Sequence, residues 1–441
     1  MNISFDFAKT TGKIRAMHAV GQPPRLGISS DYMHYLKDAN IPYSRLHDTG
    51  GPFGGGLYVD IPNIFRNFDA DENNPESYDF AFTDLLLADL AKVNCEPIFR
   101  LGVTIENHQH IRAYNIYPPA DFEKWARICE HIIRHYNEGW ANGFNYGITY
   151  WEIWNEPDNG ETNAVNMMWQ GTAQQYYKLY ETASKHLKKC FGDKIKVGGY
   201  ASCGFYDVLK QPRKYGFDFE PTGTPNVRER YFMDFADGFF EHIKNTGSPI
   251  DFFSWHSYAT VTQTEYMADY VEQLLEKWGY GGLETHLNEW NNASKVQLRG
   301  SSFAAANAAA MMIAMHHKKT HILCYYDARI GQSVYGGLFN PLTYEPLCTY
   351  YSFKAFGELY ALGNEVEADY TKGDGIYAVG ATDGKTSAVL IANTGKSERL
   401  ETNLSGMKVY LIDSEHAMTE TDYDAADFVL GENQTVFITN K

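Results

Sequence analysis

From residue 13 onward, eight short segments rich in β-branched and aromatic residues recur along the chain, and several of the stretches between them have helical periodicity. The eight strand candidates are residues 14–20, 41–46, 97–102, 149–154, 195–199, 251–256, 285–289 and 322–326. Strands that alternate with helices favour a parallel sheet, and eight such repeats favour a closed barrel. The sequence therefore predicts an α/β fold, a (β/α)8 barrel of the TIM type.

Capping patterns predict where three of the helices begin. Asp121 precedes a stripe of apolar residues spaced three or four apart, and Thr172 with Gln175, like Thr262 with Glu265, fits a capping box. The third of these helices is expected to end at Gly279. Residues 304–317 form an alanine-rich segment that predicts a closely packed helix.

Both ends of the chain differ from this pattern. Residues 376–381, 387–392, 408–412 and 435–439 predict short antiparallel strands, and Asp383-Gly384 between the first two indicates a hairpin. Residues 1–12 alternate apolar and polar side chains without a strand partner nearby. We therefore expect a catalytic-type barrel over residues 13–361 and a small accessory β-sandwich built from residues 362–441 and completed by residues 1–12.

The net charge limits the kinds of binding partner to expect, and the cysteines bear on the cellular compartment. The 441-residue chain carries a formal net charge of −17, which argues against nucleic acid and against anionic membrane surfaces as partners. Its first residues contain neither a basic region nor an apolar run, and nothing in it approaches a membrane-spanning length. The six cysteines are scattered without a C-x-x-C spacing, as is typical of reduced core residues. A cytoplasmic location is expected, or a periplasmic or secreted one if a signal peptide was removed.

Two acidic motifs lie at the ends of predicted strands. Residues 151–157 read Trp-Glu-Ile-Trp-Asn-Glu-Pro, and residues 284–291 read Glu-Thr-His-Leu-Asn-Glu-Trp-Asn. Glu156 and Glu289 thus fall at the C-terminal ends of the fourth and seventh strands, on the face that carries active sites in such barrels. Burial beside a Trp disfavours the charged form of Glu156, which makes it a candidate general acid near neutral pH, although Asn-Glu alone fits a surface turn as well. Two carboxyls across one pocket are the minimal machinery for glycoside hydrolysis.

With both motifs in view, the chain resembles glycoside hydrolase family 39 of clan A, through Trp154-Asn155-Glu156-Pro157 and Asn288-Glu289-Trp290-Asn291. The resemblance implies a retaining exo-glycosidase that removes terminal sugars from plant-type oligosaccharides or polysaccharide side chains. It assigns Glu156 as acid/base, Glu289 as nucleophile, and Asn155 as a partner of the sugar hydroxyl next to the anomeric carbon. A β-xylosidase is the family's commonest type. An α-L-arabinosidase, a β-galactosidase and a non-catalytic carbohydrate-binding barrel stay open.

The resemblance extends to two further strand ends. Arg45-Leu46-His47 is similar to the family's Arg-Phe-His, which implies that Arg45 supports the nucleophile and that His47 reaches the sugar; a structural salt bridge is the alternative for Arg45. His256 and Tyr258 resemble the clan's His and aromatic pair after the sixth strand. The Tyr258 hydroxyl would orient Glu289, while a core histidine is the alternative for His256.

The chain departs from the family pattern at two positions. Its third strand ends in Arg100-Leu101-Gly102 where the family has Glu-Leu-Gly, so no role is carried over to Arg100. Its eighth strand ends at Tyr326 where many clan members have a Trp beneath the sugar. Tyr326 and Trp290 are predicted to contact the substrate, because aromatic faces suit sugar rings. These departures leave the identity of the sugar open.

Nothing in the loops predicts a cofactor or a metal ion. The glycine-rich residues 50–56 lack the Lys-Ser/Thr ending of a phosphate-binding loop, and the acidic residues 69–75 lack the spacing of a calcium loop. Glu106, His108 and His110 follow the third strand, and the two histidines could be half of a metal site. No third ligand is evident, so a polar subsite wall or an exposed loop is the better interpretation. The expected partner is an oligosaccharide or glycoside, and a homo-oligomer is left open.

Overall fold

The computed structural model describes residues 1–25, 29–47, 59–104, 116–331, 333, 335–371, 373 and 375–441. Eight strands form a closed barrel in the order in which they follow one another along the chain. They are β2 Ala16–Gly21, β3 Tyr43–Leu46, β4 Glu96–Leu101, β5 Tyr150–Ile153, β6 Lys196–Ser202, β7 Phe252–Ser257, β8 Glu284–Trp290 and β9 Ile322–Tyr325. All eight predicted strands are confirmed, and the barrel is parallel.

Helices follow the barrel strands. The α-helices of the described residues are α1 His34–Asp38, α2 Ile61–Ile64, α3 Ala81–Lys92, α4 Phe122–Asn137, α5 Ala173–Phe191, α6 Asp207–Lys210, α7 Val227–Thr246, α8 Val261–Trp278, α9 Ser302–His316 and α10 Cys348–Leu362. The alanine-rich helix predicted over residues 304–317 is α9, and its small side chains are almost all buried. Such residues allow close helix packing, as expected.

Two of the three predicted helix starts are confirmed. The side chain of Asp121 accepts a hydrogen bond from Lys124 N–H at the start of α4, and Thr172 forms a full capping box at the start of α5. The third prediction is wrong by two residues, because α8 begins at Val261. There Thr260 and Gln263, not Thr262 and Glu265, form the reciprocal pair of side chain to backbone bonds. The sequence contains two overlapping matches to the capping pattern, and pattern alone does not choose between them.

Strand β5, which leads to the first acidic motif, lies between β4 and β6. Its four residues are all buried, as is usual for a parallel barrel strand. Glu152 is in register with Arg100 on one side and with Gly198 on the other. A Cβ atom at Gly198 would lie 2.2 Å from the backbone oxygen of Phe252, so only glycine allows β6 and β7 to approach this closely.

Strand β1, Asn2–Lys13, belongs to a second, nine-stranded sheet. Its other strands are β10 Asn364–Asp369, β11 Ile376–Thr382, β12 Ser387–Asn393, β13 Glu398–Thr402, β14 Lys408–Ile412, β15 Ala417–Thr421, β16 Asp427–Leu430 and β17 Gln434–Thr439. Strand β1 pairs antiparallel with β10 and parallel with β13, while the remaining pairs of this sheet are antiparallel. The strands contribute to one apolar core, as in a sandwich. The predicted accessory sheet, completed by the N-terminal strand, is confirmed.

By its internal contacts the chain divides into two compact units. The first comprises residues 1–43, 258–265 and 290–441, and the second comprises residues 44–257 and 266–289. The accessory sheet lies in the first unit, and both candidate carboxylates lie in the second. The domain boundaries drawn at residues 12 and 361 stay a prediction. Among the described helices, none combines the length and apolar character that crossing a membrane requires.

Candidate active site

The backbone turns sharply where β5 ends, and this turn presents Asn155 and Glu156. Trp154 and Glu156 both have positive φ angles, +74° and +46°, in a region that non-glycine residues adopt at a cost of about 1–3 kcal/mol. Two backbone hydrogen bonds hold the turn: Trp154 N–H donates to Leu101 O at 2.8 Å, and Glu156 N–H donates to Ala201 O at 3.0 Å. The turn is therefore fixed by the strands on both sides of β5.

The Glu156 carboxylate is surrounded by hydrogen-bond donors. Its Oε1 lies 2.7 Å from His256 Nδ1, and its Oε2 accepts from Asn159 Nδ2 at 2.8 Å. The same Asn159 amide also donates to Cys203 Sγ at 3.5 Å. The side chain is 15% exposed. Glu156 is thus oriented by three strand ends, those of β5, β6 and β7.

Glu289, on β8, is held by Arg45 at the end of β3. Arg45 Nη1 donates to Glu289 Oε2 at 3.2 Å, and His256 Nε2 lies 3.7 Å from the same oxygen. An arginine beside a carboxylate stabilises its ionised form, which is the form a nucleophile needs. Arg45, Asn155, Glu156, His256 and Glu289 are all brought together within the second unit.

Arg45 also fixes the orientation of Asn155. Its Nη2 donates to Asn155 Oδ1 at 2.6 Å. Because the guanidinium only donates hydrogen bonds, the Asn155 oxygen must face Arg45 and the Asn155 amide NH2 must face away from it. Asn155 therefore offers donors on its other side, as a partner of a sugar hydroxyl oxygen would.

Beneath these residues lies Glu152, which sequence reasoning missed as a functional residue. It is fully buried and accepts from Arg45 Nε at 2.8 Å and from Ser254 Oγ at 2.6 Å, and the Asn288 amide also donates to it. Glu152 therefore compensates the charge of Arg45 and fixes the guanidinium that contacts both Asn155 and Glu289. A signal was present in the sequence, since a Glu in the middle of a fully apolar strand needs a buried cation.

His256 lies between the two candidate carboxylates, and it changes the expected protonation of Glu156. Burial acts to raise the pKa of Glu156, but hydrogen bonds from His256 and Asn159 together with the charge of His256 act against it, and the pKa lies below its ordinary value. Burial acts to lower the pKa of His256, and the charges of Glu289 and Glu156 raise it above its ordinary value. The prediction that burial keeps Glu156 protonated by itself is therefore wrong. These two directions favour the state in which His256 carries a proton and Glu156 is ionised.

A second buried acid lies behind Glu156. Asp158 accepts from Ser202 Oγ at 2.7 Å and from Cys203 N–H at 3.2 Å. Burial, reinforced by the charge of Glu156, raises the pKa of Asp158 to about 7. Asp158 thereby connects the loop after β5 to the end of β6 through Ser202 and to Cys203, which follows β6.

The two candidate carboxylates are close together. One carboxylate oxygen of Glu156, one of Glu289 and a ring nitrogen of His256 all lie within 4.8 Å of one another. This spacing could also hold a cation, as could that of Glu130, His186 and Cys190 between α4 and α5. At the first cluster Arg45 already supplies positive charge.

His47 follows β3 and contacts a different set of residues. Its Nδ1 lies 3.2 Å from Arg100 Nε, and Arg100 is paired with Asp60. All three side chains are buried. Arg100, for which the sequence suggested no role, is therefore a direct neighbour of a predicted substrate-binding residue.

Three predicted substrate contacts lie in the first unit. Tyr258 and Tyr326 both pack against the ring of Tyr335, at 5.0 and 5.1 Å between centroids. Trp290 has no exposed surface and packs against Tyr325 and Phe353. The substrate contacts of Tyr258, Tyr326 and Trp290 stay predictions. The glycine-rich residues 50–56, Glu106, His108 and His110 lie outside the described residues.

Comparison with known proteins gives related sequences. A β-xylosidase of Geobacillus stearothermophilus is 25% identical over 264 residues, which cover 57% of this chain and 44% of that protein. A β-xylosidase of Caldicellulosiruptor saccharolyticus is 26% identical over 321 residues, which cover 66% of this chain and 56% of that protein. The chain thus spans about half the length of the curated relatives it matches.

Solved structures and a family model extend these matches. The crystal structure of a glucosidase from Croceicoccus marinus is similar in fold, with a TM-score of 0.77 at 19% identity, over 99% of this chain and 98% of that one. The model of glycosyl hydrolases family 39 matches residues 1–325, which include both acidic motifs. The resemblance carried by those motifs is confirmed, and the chain belongs to glycosyl hydrolases family 39.

Proposed function

We propose that this protein is a retaining exo-acting β-glycosidase, with β-xylosides as its leading substrates. The observation that carries the proposal is the distance between the carboxylates, since oxygens of Glu156 and Glu289 lie within 4.8 Å of each other. Retaining glycosidases need their two carboxyl groups about 5–5.5 Å apart, whereas inverting ones need roughly 6.5–9.5 Å to admit a water molecule. The two related β-xylosidases support xylose as the sugar.

In the proposed first step, Glu289 attacks the anomeric carbon while a proton passes from Glu156 to the leaving glycosidic oxygen. The bond to the leaving group breaks, and a glycosyl ester of Glu289 forms with inverted configuration. Before this step His256 Nδ1, at 2.7 Å, can supply that proton to Glu156, and the transfer to the leaving oxygen then leaves Glu156 as a carboxylate. The Asn155 amide donates to the neighbouring sugar hydroxyl, and this bond strengthens as charge develops in the transition state.

In the second step Glu156 acts as a base. It removes a proton from a water molecule, which attacks the anomeric carbon and releases Glu289 as a carboxylate. Two inversions give net retention. Arg45 stabilises the carboxylate that leaves in this step, because it donates to Glu289 Oε2 at 3.2 Å. Every group used in the two steps belongs to the second unit.

The test is hydrolysis of a panel of aryl β-xylosides, β-galactosides, β-glucosides and α-L-arabinosides by the wild type, Glu289→Ala and Glu156→Ala, each with and without azide. We expect the wild type to cleave the β-xyloside and Glu289→Ala to lose about 10⁴-fold or more of that activity. Azide should restore turnover in both variants. Glu289→Ala should then form the α-xylosyl azide and Glu156→Ala the β-xylosyl azide, because azide replaces the nucleophile in one and attacks the intermediate in the other.

Glu284→Ala provides the matched control, because Glu284 lies at the opposite end of β8 and pairs with Lys196 at 2.5 Å. It should keep the wild-type activity. Cleavage of a different glycoside in the panel would keep the mechanism and replace the sugar. If the wild type cleaves none of the panel while Glu289→Ala binds sugar as the wild type does, the chain is a carbohydrate-binding barrel and the proposed function is wrong.

A further inference from the structure

Arg100 is a fully buried cation at the end of β4, and its surroundings fix it in place. Its Nη2 donates to Asp60 Oδ1 at 2.6 Å. Asp60 in turn accepts from Thr104 N–H at 2.9 Å and from Thr104 Oγ1 at 2.9 Å. A bond between two charged groups, supported by further donors, holds a guanidinium more rigidly than a single contact would. Arg100 therefore has one orientation in the folded protein.

This orientation determines the protonation of His47. Arg100 Nε donates toward His47 Nδ1 at 3.2 Å. A guanidinium has five donors and no acceptor, so Nδ1 must be the acceptor in this contact and cannot carry a hydrogen. A neutral imidazole has one donor and one acceptor nitrogen, so the hydrogen lies on Nε2. A second proton on Nδ1 would face the Arg100 N–H directly.

We propose that Arg100 is a positioning residue that fixes His47 as the neutral Nε2–H tautomer, so that His47 presents a hydrogen-bond donor to the substrate. The part of this inference that concerns the substrate rests on the proposed function. The part that concerns the tautomer rests on the Arg100–His47 geometry alone. The sugar atom that meets His47 is then one that accepts a hydrogen bond, a hydroxyl oxygen acting as acceptor. An acidic residue in place of Arg100 would demand the opposite tautomer, with a hydrogen on Nδ1 and an acceptor at Nε2.

The tautomer can be measured directly by a long-range ¹H–¹⁵N correlation spectrum of the protein labelled with ¹⁵N-histidine. The chain has 15 His residues, so the His47 signals are assigned by their loss in His47→Asn. In the wild type we expect a protonated Nε2 and an unprotonated Nδ1 that stay unchanged from pH 8 to pH 5. In Arg100→Met, which removes the donor, we expect His47 to exchange between its two neutral tautomers.

Kinetics with the cleaved aryl glycoside separate positioning from a structural role. Arg100→Met should lower kcat/KM about tenfold, the size of one lost hydrogen bond, chiefly through a higher KM. Combined with His47→Asn it should cause no further loss, because without the His47 ring Arg100 has no tautomer to fix. Arg100→Lys keeps a donor and a charge for Asp60 and should recover part of the activity. Arg66→Met is the matched control, since Arg66 forms an exposed pair with Asp79 at 2.6 Å.

Two outcomes would overturn the proposal. A wild-type His47 that carries its hydrogen on Nδ1, or that is an imidazolium at pH 7, would show that Arg100 does not set the tautomer. Additive losses in the Arg100→Met, His47→Asn double variant would show that the two residues act separately. If Arg100→Met fails to fold, the tautomer of His47 in the wild-type spectrum and the activity of Arg100→Lys still test the proposal. If the Nε2–H tautomer is found but no glycoside is cleaved, the proposed function fails and the tautomer assignment stands.

Discussion

At the scale of single residues, the site depends on one proton and two carboxylates with a histidine between them. His256 lies 2.7 Å from Glu156 and 3.7 Å from Glu289. The two acids raise the pKa of His256, and His256 lowers the pKa of Glu156. These directions favour His256 as the holder of the proton that Glu156 passes to a leaving group, so the two residues titrate as a coupled pair. The pH dependence of activity should therefore report the pair.

We expect His256→Asn to move the alkaline limb of the kcat/KM profile to lower pH. In the wild type the pair keeps its proton until the pH rises through the raised pKa of His256. In the variant only the carboxyl of Glu156 can hold that proton, and carboxyls release it at lower pH than imidazoles do. The measurement is the pH profile of an aryl glycoside whose leaving group needs protonation. His242→Asn is the control, because His242 also contacts a glutamate, Glu181, at 3.0 Å. It should leave the alkaline limb of the profile at its wild-type pH. An unmoved limb in His256→Asn would mean that the proton is not shared.

At the scale of elements, patterns along the chain predicted most of the strands and, correctly, two of the three helix starts that they suggested. Eight barrel strands and five accessory strands, the N-terminal one included, were predicted, since each is a run of apolar or alternating residues. Strands β10, β13, β15 and β16 were missed, because most of their residues are at least partly exposed and many are polar. Local propensity carries little information about such strands.

The candidate site likewise has residues that the sequence predicted and residues that it did not. Glu156, Glu289 and Asn155 were predicted because they belong to short motifs at strand ends. The parts played by Glu152 and Arg100 could not be predicted from spacing, because each depends on contacts with other strands: Glu152 with Arg45, and Arg100 with His47 and Asp60. Protonation was also beyond the sequence, since the pKa of Glu156 is set by His256 on another strand.

Helix α5 follows the loop that carries Glu156, and its first turn provides a prediction at this scale. The Thr172 hydroxyl accepts from Gln175 N–H at 3.1 Å, and the Gln175 side chain accepts from Thr172 N–H at 2.8 Å. Thr172→Ala should lower the free energy of unfolding by about 1 kcal/mol, since a donor at the helix start loses its partner. Thr172→Ser keeps the acceptor and should stay near the wild type. Urea unfolding of the three proteins tests this, and equal stabilities would contradict a capping role.

At the scale of the whole molecule, the accessory sheet is built from the two ends of the sequence. Phe5 on β1 is 3% exposed and belongs to the same apolar core as residues of β11, β12 and β17. Phe5 N–H also donates to Asn403 Oδ1, across a separation of 398 residues. Strand β1 therefore lies inside this sheet, between β10 and β13, and does not form its edge.

Phe5→Ala should lower the free energy of unfolding by about 3–5 kcal/mol, because it leaves a cavity in a core to which many strands contribute. Lys9→Ala changes an exposed residue of the same strand, 60% exposed, and should leave the unfolding midpoint in place. Denaturant titration followed by tryptophan fluorescence and far-UV circular dichroism measures both. A Phe5→Ala midpoint equal to that of Lys9→Ala would mean that β1 contributes little to the stability of the sheet.

The place of β1 has a consequence for synthesis. A ribosome makes this strand before the eight barrel strands and makes its two neighbours, β10 and β13, only after them. Until then the Phe5 side of the strand has no core to enter, and its backbone groups have no partners within the sheet. Because domains made early begin to fold while later residues are still being added, barrel strands can pair before this sheet can close. The nascent chain thus carries an unpaired apolar strand through most of its elongation, a segment of the kind that chaperones bind.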